Sequence, residues 1–124
     1  MNGDGIDDLA VGALWDDDST TNAGAVYILY MARNGTVESH IKINESLINE
    51  SSPNKISLDT TDGFGRSISN IGDLDGDGII DLAVGSFNDL DGGTDIGAIY
   101  ILNMFNNGSV KNLSKISATE GNFT

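Results

Sequence analysis

The sequence predicts an all-β protein made of four-stranded antiparallel sheets stacked face to face as blades. Three observations predict it. The 124-residue chain repeats itself without a gap at an offset of 73 residues, which carries Asp4 onto Asp77. Each copy is a series of short apolar and β-branched runs bounded by clusters of Gly, Asn and Asp, the pattern of strands joined by turns. Glycine reaches 16 residues while proline occurs once, a balance suited to tight turns rather than helices.

The repeat fixes the order of the elements. DGIDDLAVG (Asp4 to Gly12) falls on DGIIDLAVG (Asp77 to Gly85), GAVYIL (Gly24 to Leu29) on GAIYIL (Gly97 to Leu102), and NGTV (Asn34 to Val37) on NGSV (Asn107 to Val110). The complete copy predicts four strands, Phe64 to Ile71, Ile80 to Phe87, Ala98 to Leu102 and Val110 to Ile116. The last three recur at Asp7 to Leu14, Ala25 to Tyr30 and Val37 to Ile43, because Met1 aligns with Leu74 and the first copy has no opening strand. Residues 1–44 are therefore expected to be a partial unit, 45–61 an inter-unit loop, 62–118 a complete unit and 119–124 the start of the next loop, the whole being a slice of a longer protein. Asn34-Gly35 and Asn107-Gly108 supply the positive φ angles of tight hairpins between strands three and four. LAVG and YIL are nearly continuous apolar runs, so strands two and three are expected to have both faces covered, as in a radial stack of sheets.

Charge and composition exclude several functions. With 19 acidic against 6 basic residues the formal charge is -13, which repels nucleic acid and anionic membranes and leaves cations as the natural partners. The absence of cysteine removes disulfides, thiolate metal sites and cysteine nucleophiles. No apolar run approaches the roughly 20 residues that span a bilayer, and the acidic opening MNGDGIDDLAVG is unlike a signal peptide. His40 is solitary and aligns with Leu113, so it is assigned a structural place rather than a catalytic one, and no enzyme activity is expected.

The chemistry concentrates between strands one and two. In Asp73-Leu74-Asp75-Gly76-Asp77-Gly78-Ile79-Ile80-Asp81, side-chain oxygens fall at loop positions one, three, five and nine, with small or turn-forming residues between them. Calcium takes six to eight hard oxygen ligands at about 2.3 to 2.6 Å, and such a loop curls several carboxylates around one ion. Asp73, Asp75, Asp77 and Asp81 are the expected side-chain ligands, Asp81 with one or both oxygens, and the Ile79 carbonyl adds position seven. Position twelve is Val84, where an EF-hand needs Glu, and a strand replaces the exit helix, so this is no EF-hand. The alternative is an ordinary solvated turn. Against it, four carboxylates within nine residues repel one another, a cost that a divalent ion offsets. In the first copy Asn2, Asp4 and Asp8, with the Ile6 carbonyl, repeat Asp75, Asp77, Asp81 and Ile79, but the counterpart of Asp73 falls before residue 1, so weak or absent ion binding is expected there.

GFGRSISNIGDLDGDGIIDLAVGS followed by GAIYIL resembles the FG-GAP repeat of integrin α subunits. The resemblance joins the Phe64-Gly65 opening, the acidic loop and the GxxYIL strand in order, and with the offset copy it covers nearly the whole chain. It departs from the family where a small residue and Pro usually follow LAVG; here Ala13-Leu14 and Ser86-Phe87 stand instead. The resemblance implies an integrin α-like β-propeller, usually seven-bladed, with calcium bracing the loop between strands one and two, and a role in extracellular binding or cell adhesion. Neighbouring blades and a protein or glycan ligand are the implied partners.

A ligand is to be sought on the face opposite the acidic loops, formed by Asp16 to Ala23, Asn88 to Ile96 and the link from Glu45 to Asp62, and marked by Trp15, with solvated connections and a chance Trp as the plainer account of these loops. Asp16, Asp18, Asp89, Asp91 and Asp95 raise a second ion site there as an option, with an acidic surface loop as the plainer account. Asn-x-Ser/Thr sequences at Asn34, Asn44, Asn49, Asn107, Asn112 and Asn122 favour a secreted glycoprotein modestly. Two rival functions stand beside the binding module: the propeller portion of a secreted hydrolase or lyase whose active residues lie elsewhere, and a structural spacer.

Overall fold

The computed structural model describes residues 1–18, 21–90 and 97–121. It contains two antiparallel sheets. The first has three strands, β1 (Leu9–Ala13), β2 (Ala25–Met31) and β3 (Val37–Ile43), in that order. The second has four, β4 (Phe64–Gly72), β5 (Asp81–Ser86), β6 (Ala98–Met104) and β7 (Val110–Ile116), again in sequence order. Both are simple meanders without a closed barrel, as in a fragment of a β-propeller. The sheets repeat each other in register: Leu9 pairs with Leu29 as Leu82 pairs with Leu102, and both last hairpins carry an irregularity one residue before their final pair, at Tyr30/Met31 and Asn103/Met104.

One element departs from the expectation of a loop after the first unit. Residues Glu45–Ser51 form a helix, α1. Asn44 caps it, its side chain accepting the Leu47 N–H at 3.0 Å, Glu45 sits in the first turn where the helix dipole favours an acid, and Ile48 is fully buried. Seven residues make too short a helix to stand alone, so the burial of Ile48 is what holds it.

The core lies between the two sheets. From the first sheet it takes Val26, Ile28 and Ile43, and from the second Leu82, Val84, Tyr100 and Leu102, each no more than 2% exposed. Along β2 the buried positions are Ala25, Val26, Ile28 and Tyr30; along β6 they are Ala98, Tyr100, Leu102 and Met104. Apart from Ala25 and Ala98, which correspond and are both buried, the two sets differ by one residue in repeat register, since Val26 corresponds to Ile99 and Tyr27 to Tyr100. A one-residue change of register in a strand reverses its faces, so the first sheet meets the junction with one face and the second sheet with the other. Each sheet in this chain is thus covered on one face only, not on both as its apolar runs predict. Leu9 and Val11 on the first sheet are 49% and 43% exposed, whereas their counterparts Leu82 and Val84 are buried.

Backbone contact closes the junction. The Phe64 N–H donates to the Ala23 carbonyl at 2.9 Å, and Gly24 bridges Phe64 in parallel. The Phe64 ring, fully buried, meets the Tyr100 ring edge-on with centroids 5.5 Å apart. Just before it, Asp62 is 3% exposed and accepts the Asp59 N–H at 2.8 Å. Burial, opposed by that N–H and reinforced by repulsion from Asp89, pushes the Asp62 carboxyl up to about 6. A raised folded-state pKa means that the folded protein holds the proton more tightly, so this group's contribution favours folding at low pH and is lost as pH climbs from the ordinary aspartate range through about 6. Asp62→Asn, which keeps the acceptor and removes the charge, is expected to leave stability near pH 4 unchanged and to raise it at pH 7.5 by up to about 3 kcal/mol. Urea denaturation of both proteins at the two pH values checks this, and an equal difference at both would exclude the titration of Asp62 as the cause.

Candidate metal centre

The acidic loop sits at the end of the second sheet where β4 turns into β5. Gly76 and Gly78 adopt φ of 82° and 86°, conformations that a side chain would strain, and they let the chain curl back on itself. Inside the curl the Asp73 carboxylate organises the backbone. Its Oδ1 accepts the N–H groups of Gly76 at 2.7 Å and Asp77 at 3.0 Å, and its Oδ2 accepts that of Gly78 at 2.8 Å. Asp81 anchors the far side and is fully buried: Oδ1 accepts the Met104 N–H at 3.0 Å, and Oδ2 accepts the Leu74 N–H at 2.9 Å and the Asn103 side-chain amide at 3.0 Å.

Three carboxylates, from Asp73, Asp75 and Asp81, bring one oxygen each within 4.8 Å of one another. Oxygens bound to a common calcium at about 2.3 to 2.6 Å lie no more than roughly 5 Å apart. The set therefore fits a calcium ion in both hardness and spacing. Because Asp81 already accepts three hydrogen bonds, a single oxygen from it suits the arrangement better than two.

Asp77 is not one of that trio. Asp77 Oδ1 accepts the Ile79 N–H at 2.9 Å, while its Oδ2 lies 2.9 Å from the Lys111 ammonium, which also meets Asp75 Oδ2 at 2.8 Å. The Lys111 hydrogen bond is the main reason that the Asp77 carboxyl is held below the usual aspartate range, and the same two carboxylates push the Lys111 ammonium up. Lys111 is the second residue of β7, so this contact puts the β6–β7 hairpin at the same end as the acidic loop. The sequence gives no hint of that lysine from within the loop. Its counterpart in the first copy is Glu38.

The first copy shares the outer frame. Asp8 Oδ1 accepts the Met31 N–H at 3.1 Å, as Asp81 accepts that of Met104, and its Oδ2 takes the Asn2 N–H and the Met1 ammonium. Burial raises the Asp8 carboxyl, but these donors outweigh it and hold the group below its ordinary value. Asn2 and Asp4 are exposed and bonded to each other, and the Ile6 N–H donates to Asp4 Oδ1 at 2.8 Å. Among the described residues the acidic group close enough to share an ion is the one in the second copy.

A second device appears in both sheets at the other end. Lys42 Nζ lies 2.7 Å from Asp16 Oδ1, also meets Asp18, and stands 5.6 Å from the Tyr27 ring centre. Lys115 repeats this with Asp89 at 2.8 Å and Tyr100 at 5.5 Å, and the Tyr100 hydroxyl donates to Asp89 at 2.9 Å. Asp16, Asp18 and Asp89 thus have a lysine as counter-ion, which favours the acidic-loop account over a second ion site; Asp91 and Asp95 lie outside the described residues. The pattern is present in the sequence, since all three partners are identical at the repeat offset.

Residues 1–29 match the family model of the FG-GAP repeat. That segment carries the first acidic loop, β1 and most of β2. The second copy reproduces it strand for strand and pair for pair. The match over residues 1–29 is consistent with an FG-GAP repeat fragment, and the two antiparallel sheets are consistent with a fragment of a β-propeller.

Proposed function

We propose that this chain is a calcium-binding, non-enzymatic FG-GAP module whose two units are adjacent blades of an integrin-like β-propeller serving extracellular binding or cell adhesion. The observation that carries the reading is the convergence of Asp73, Asp75 and Asp81 within 4.8 Å in a loop built on glycines. Those three carboxylates hold the ion, Asp77 and the Ile79 carbonyl lie within the same loop to complete its shell, and Asn2, Asp4, Ile6 and Asp8 form a lesser version. The ion locks the β4–β5 corner of the blade.

The surroundings support the rest of the reading. FG-GAP repeats occur in extracellular and cell-surface proteins, and among the described residues no helix is long and apolar enough to cross a membrane. Residues 1–44 and 62–118 serve as the blades, and further blades cover the faces on which Leu9, Val11 and Ile99 are exposed. A protein or glycan ligand docks on the loops opposite the calcium end, where Trp15 is 56% exposed.

Calcium titration by calorimetry, with magnesium as the comparison, tests the reading: saturable heat and a calcium-dependent rise in Tm support it, and their absence in the wild-type chain overturns it. Lys111 supplies a second arm. Its ammonium sits on two of the carboxylates and competes with the ion, so Lys111→Met is expected to bind calcium several-fold more tightly at low salt, with the advantage shrinking as salt rises. Unchanged affinity at low salt would mean that Lys111 does not compete.

A further inference from the structure

The Asn-x-Ser/Thr sequences at Asn34, Asn44, Asn49, Asn107 and Asn112 fall within the described residues, and the structure sorts them into two kinds. Asn34 and Asn107 stand exposed at the tips of the β2–β3 and β6–β7 hairpins. Both form the same side-chain turn. Asn34 Oδ1 accepts the Thr36 N–H at 3.0 Å and the Thr36 hydroxyl at 2.7 Å, and Asn107 Oδ1 accepts the Ser109 N–H at 2.9 Å and the Ser109 hydroxyl at 2.7 Å. The two groups that define the sequence are thus held side by side, and no hydrogen bond engages either Nδ2 among the described residues. Packing of the sheets preserves this exposure. Gly108 is buried against the first sheet, a Cβ on it meeting Ile41 at 2.5 Å and Tyr30 at 2.6 Å, yet Asn107 beside it faces solvent.

The other three asparagines are half-buried and spend their amides on the fold. Asn49 Nδ2 donates to the Ile56 carbonyl at 2.9 Å, its Oδ1 accepts the Ile56 N–H at 2.8 Å, and the Ser51 hydroxyl is turned away to the Leu47 carbonyl at 2.8 Å. Asn112 lies within β7, and its Oδ1 accepts the Asn54 side-chain amide at 2.8 Å. Asn44 Oδ1 closes the first turn of α1.

We propose that Asn34 and Asn107 are the acceptor sites of the folded chain for N-linked sugar, and that Asn44, Asn49 and Asn112 are closed to it; its setting in the cell rests on the extracellular reading above. The co-substrate is a sugar esterified at C1 to a pyrophosphate. Nδ2 attacks C1, the C1–O bond breaks, the pyrophosphate group leaves with the electron pair, and one Nδ2 proton passes to a base on the transferase. An enzyme that reads the amide together with the hydroxyl finds both on one exposed turn at Asn34 and Asn107. At Asn49 it would have to break both bonds to Ile56 first. Both open hairpins lie at the end of the acidic loops, since Asp8 bonds to Met31 and Lys111 to Asp75. Sugars there crowd that end and leave the opposite loops, with Trp15, uncovered.

The test treats the full chain with a purified Asn-x-Ser/Thr glycosyltransferase and UDP-glucose, and follows each site over time by peptide mass spectrometry. Asn34 and Asn107 should gain glucose at least about fivefold faster than Asn44, Asn49 and Asn112, the factor that losing one cap or hydrogen bond imposes. Free peptides of residues 45–53 and 110–116 should react as fast as one of residues 32–38, because the fold and not the local sequence closes their sites. Asn34→Gln with Asn107→Gln should leave residues 1–121 nearly unmodified. Both side chains are exposed, so this variant folds. Absence of glucose from Asn34 and Asn107, equal rates at Asn49 or Asn112 in the chain, or peptides as slow as the closed sites overturns the proposal. Neither residue belongs to the acidic loop and transfer is read without calcium titration, so its failure leaves the ion-binding reading standing.

Discussion

Asp81→Ala is expected to remove the calcium response and to destabilise the protein even in chelator, a double effect that no other loop substitution should reproduce. The reason is the position of the carboxylate. It is fully buried and accepts three donors, two of them backbone N–H groups that belong to β6 and to the loop itself. An unsatisfied buried donor costs about 1–3 kcal/mol, so the loss without calcium should be about 3–5 kcal/mol. Calcium then adds nothing, because the trio has lost its inner oxygen. Asp77→Ala should behave differently: its side chain is exposed and turned toward Lys111, so calcium binding weakens but remains measurable, and stability in chelator hardly moves. Urea denaturation of each variant in calcium and in chelator separates the two effects. If Asp81→Ala keeps the wild-type calcium-induced increment, Asp81 is an anchor for the strands alone and the proposed ion lies elsewhere.

The same residue shows what sequence reasoning reaches and where it stops. Spacing places Asp81 at the end of an acidic loop beside a strand, and the structure puts it there. Spacing does not show that Met104, twenty-three residues later, lends its N–H to that carboxylate, because the partner comes from sheet pairing. Lys111 escapes notice for the same reason: its ammonium reaches the loop only because the β6–β7 hairpin folds back alongside it. The strands themselves are legible, since the offset copies carry matching apolar runs between glycines, and β3 and β7 have their expected limits. Helix α1 is partly legible. Asn44 followed by an acid and by Leu47-Ile48 is a start signal, yet ESLINES also carries two serines and an asparagine, residues that compete for backbone hydrogen bonds and favour turns. Coverage of the sheets is the instructive discrepancy. An apolar run on both faces of a strand records what the strand is built to meet, and each sheet here meets a neighbour on one side.

That one-sided junction makes Gly12→Ala the second substitution with a large expected effect. Gly12 does not have a left-handed backbone, so alanine is conformationally acceptable there and the consequence is steric. A Cβ would stand 1.9 Å from the Gly65 oxygen and 3.0 Å from its carbon, backbone atoms with no rotamer by which to yield. Relief requires the two sheets to part, which exposes Phe64 and Tyr100 and loosens the hydrogen bond from Phe64 to Ala23. Overpacking of this kind costs about 1–3 kcal/mol when side chains adjust, and more when the backbone must move, so a loss of about 3–4 kcal/mol is expected. Gly35→Ala is the comparison. It has φ of 83° but nothing within 4 Å of its Cβ, so it carries backbone strain alone, about 1 kcal/mol. The ordering matters more than either value. If Gly12→Ala proves no worse than Gly35→Ala in urea denaturation, the strands do not approach this closely, and the backbone contact between Gly12 and Gly65 does not hold the two sheets together.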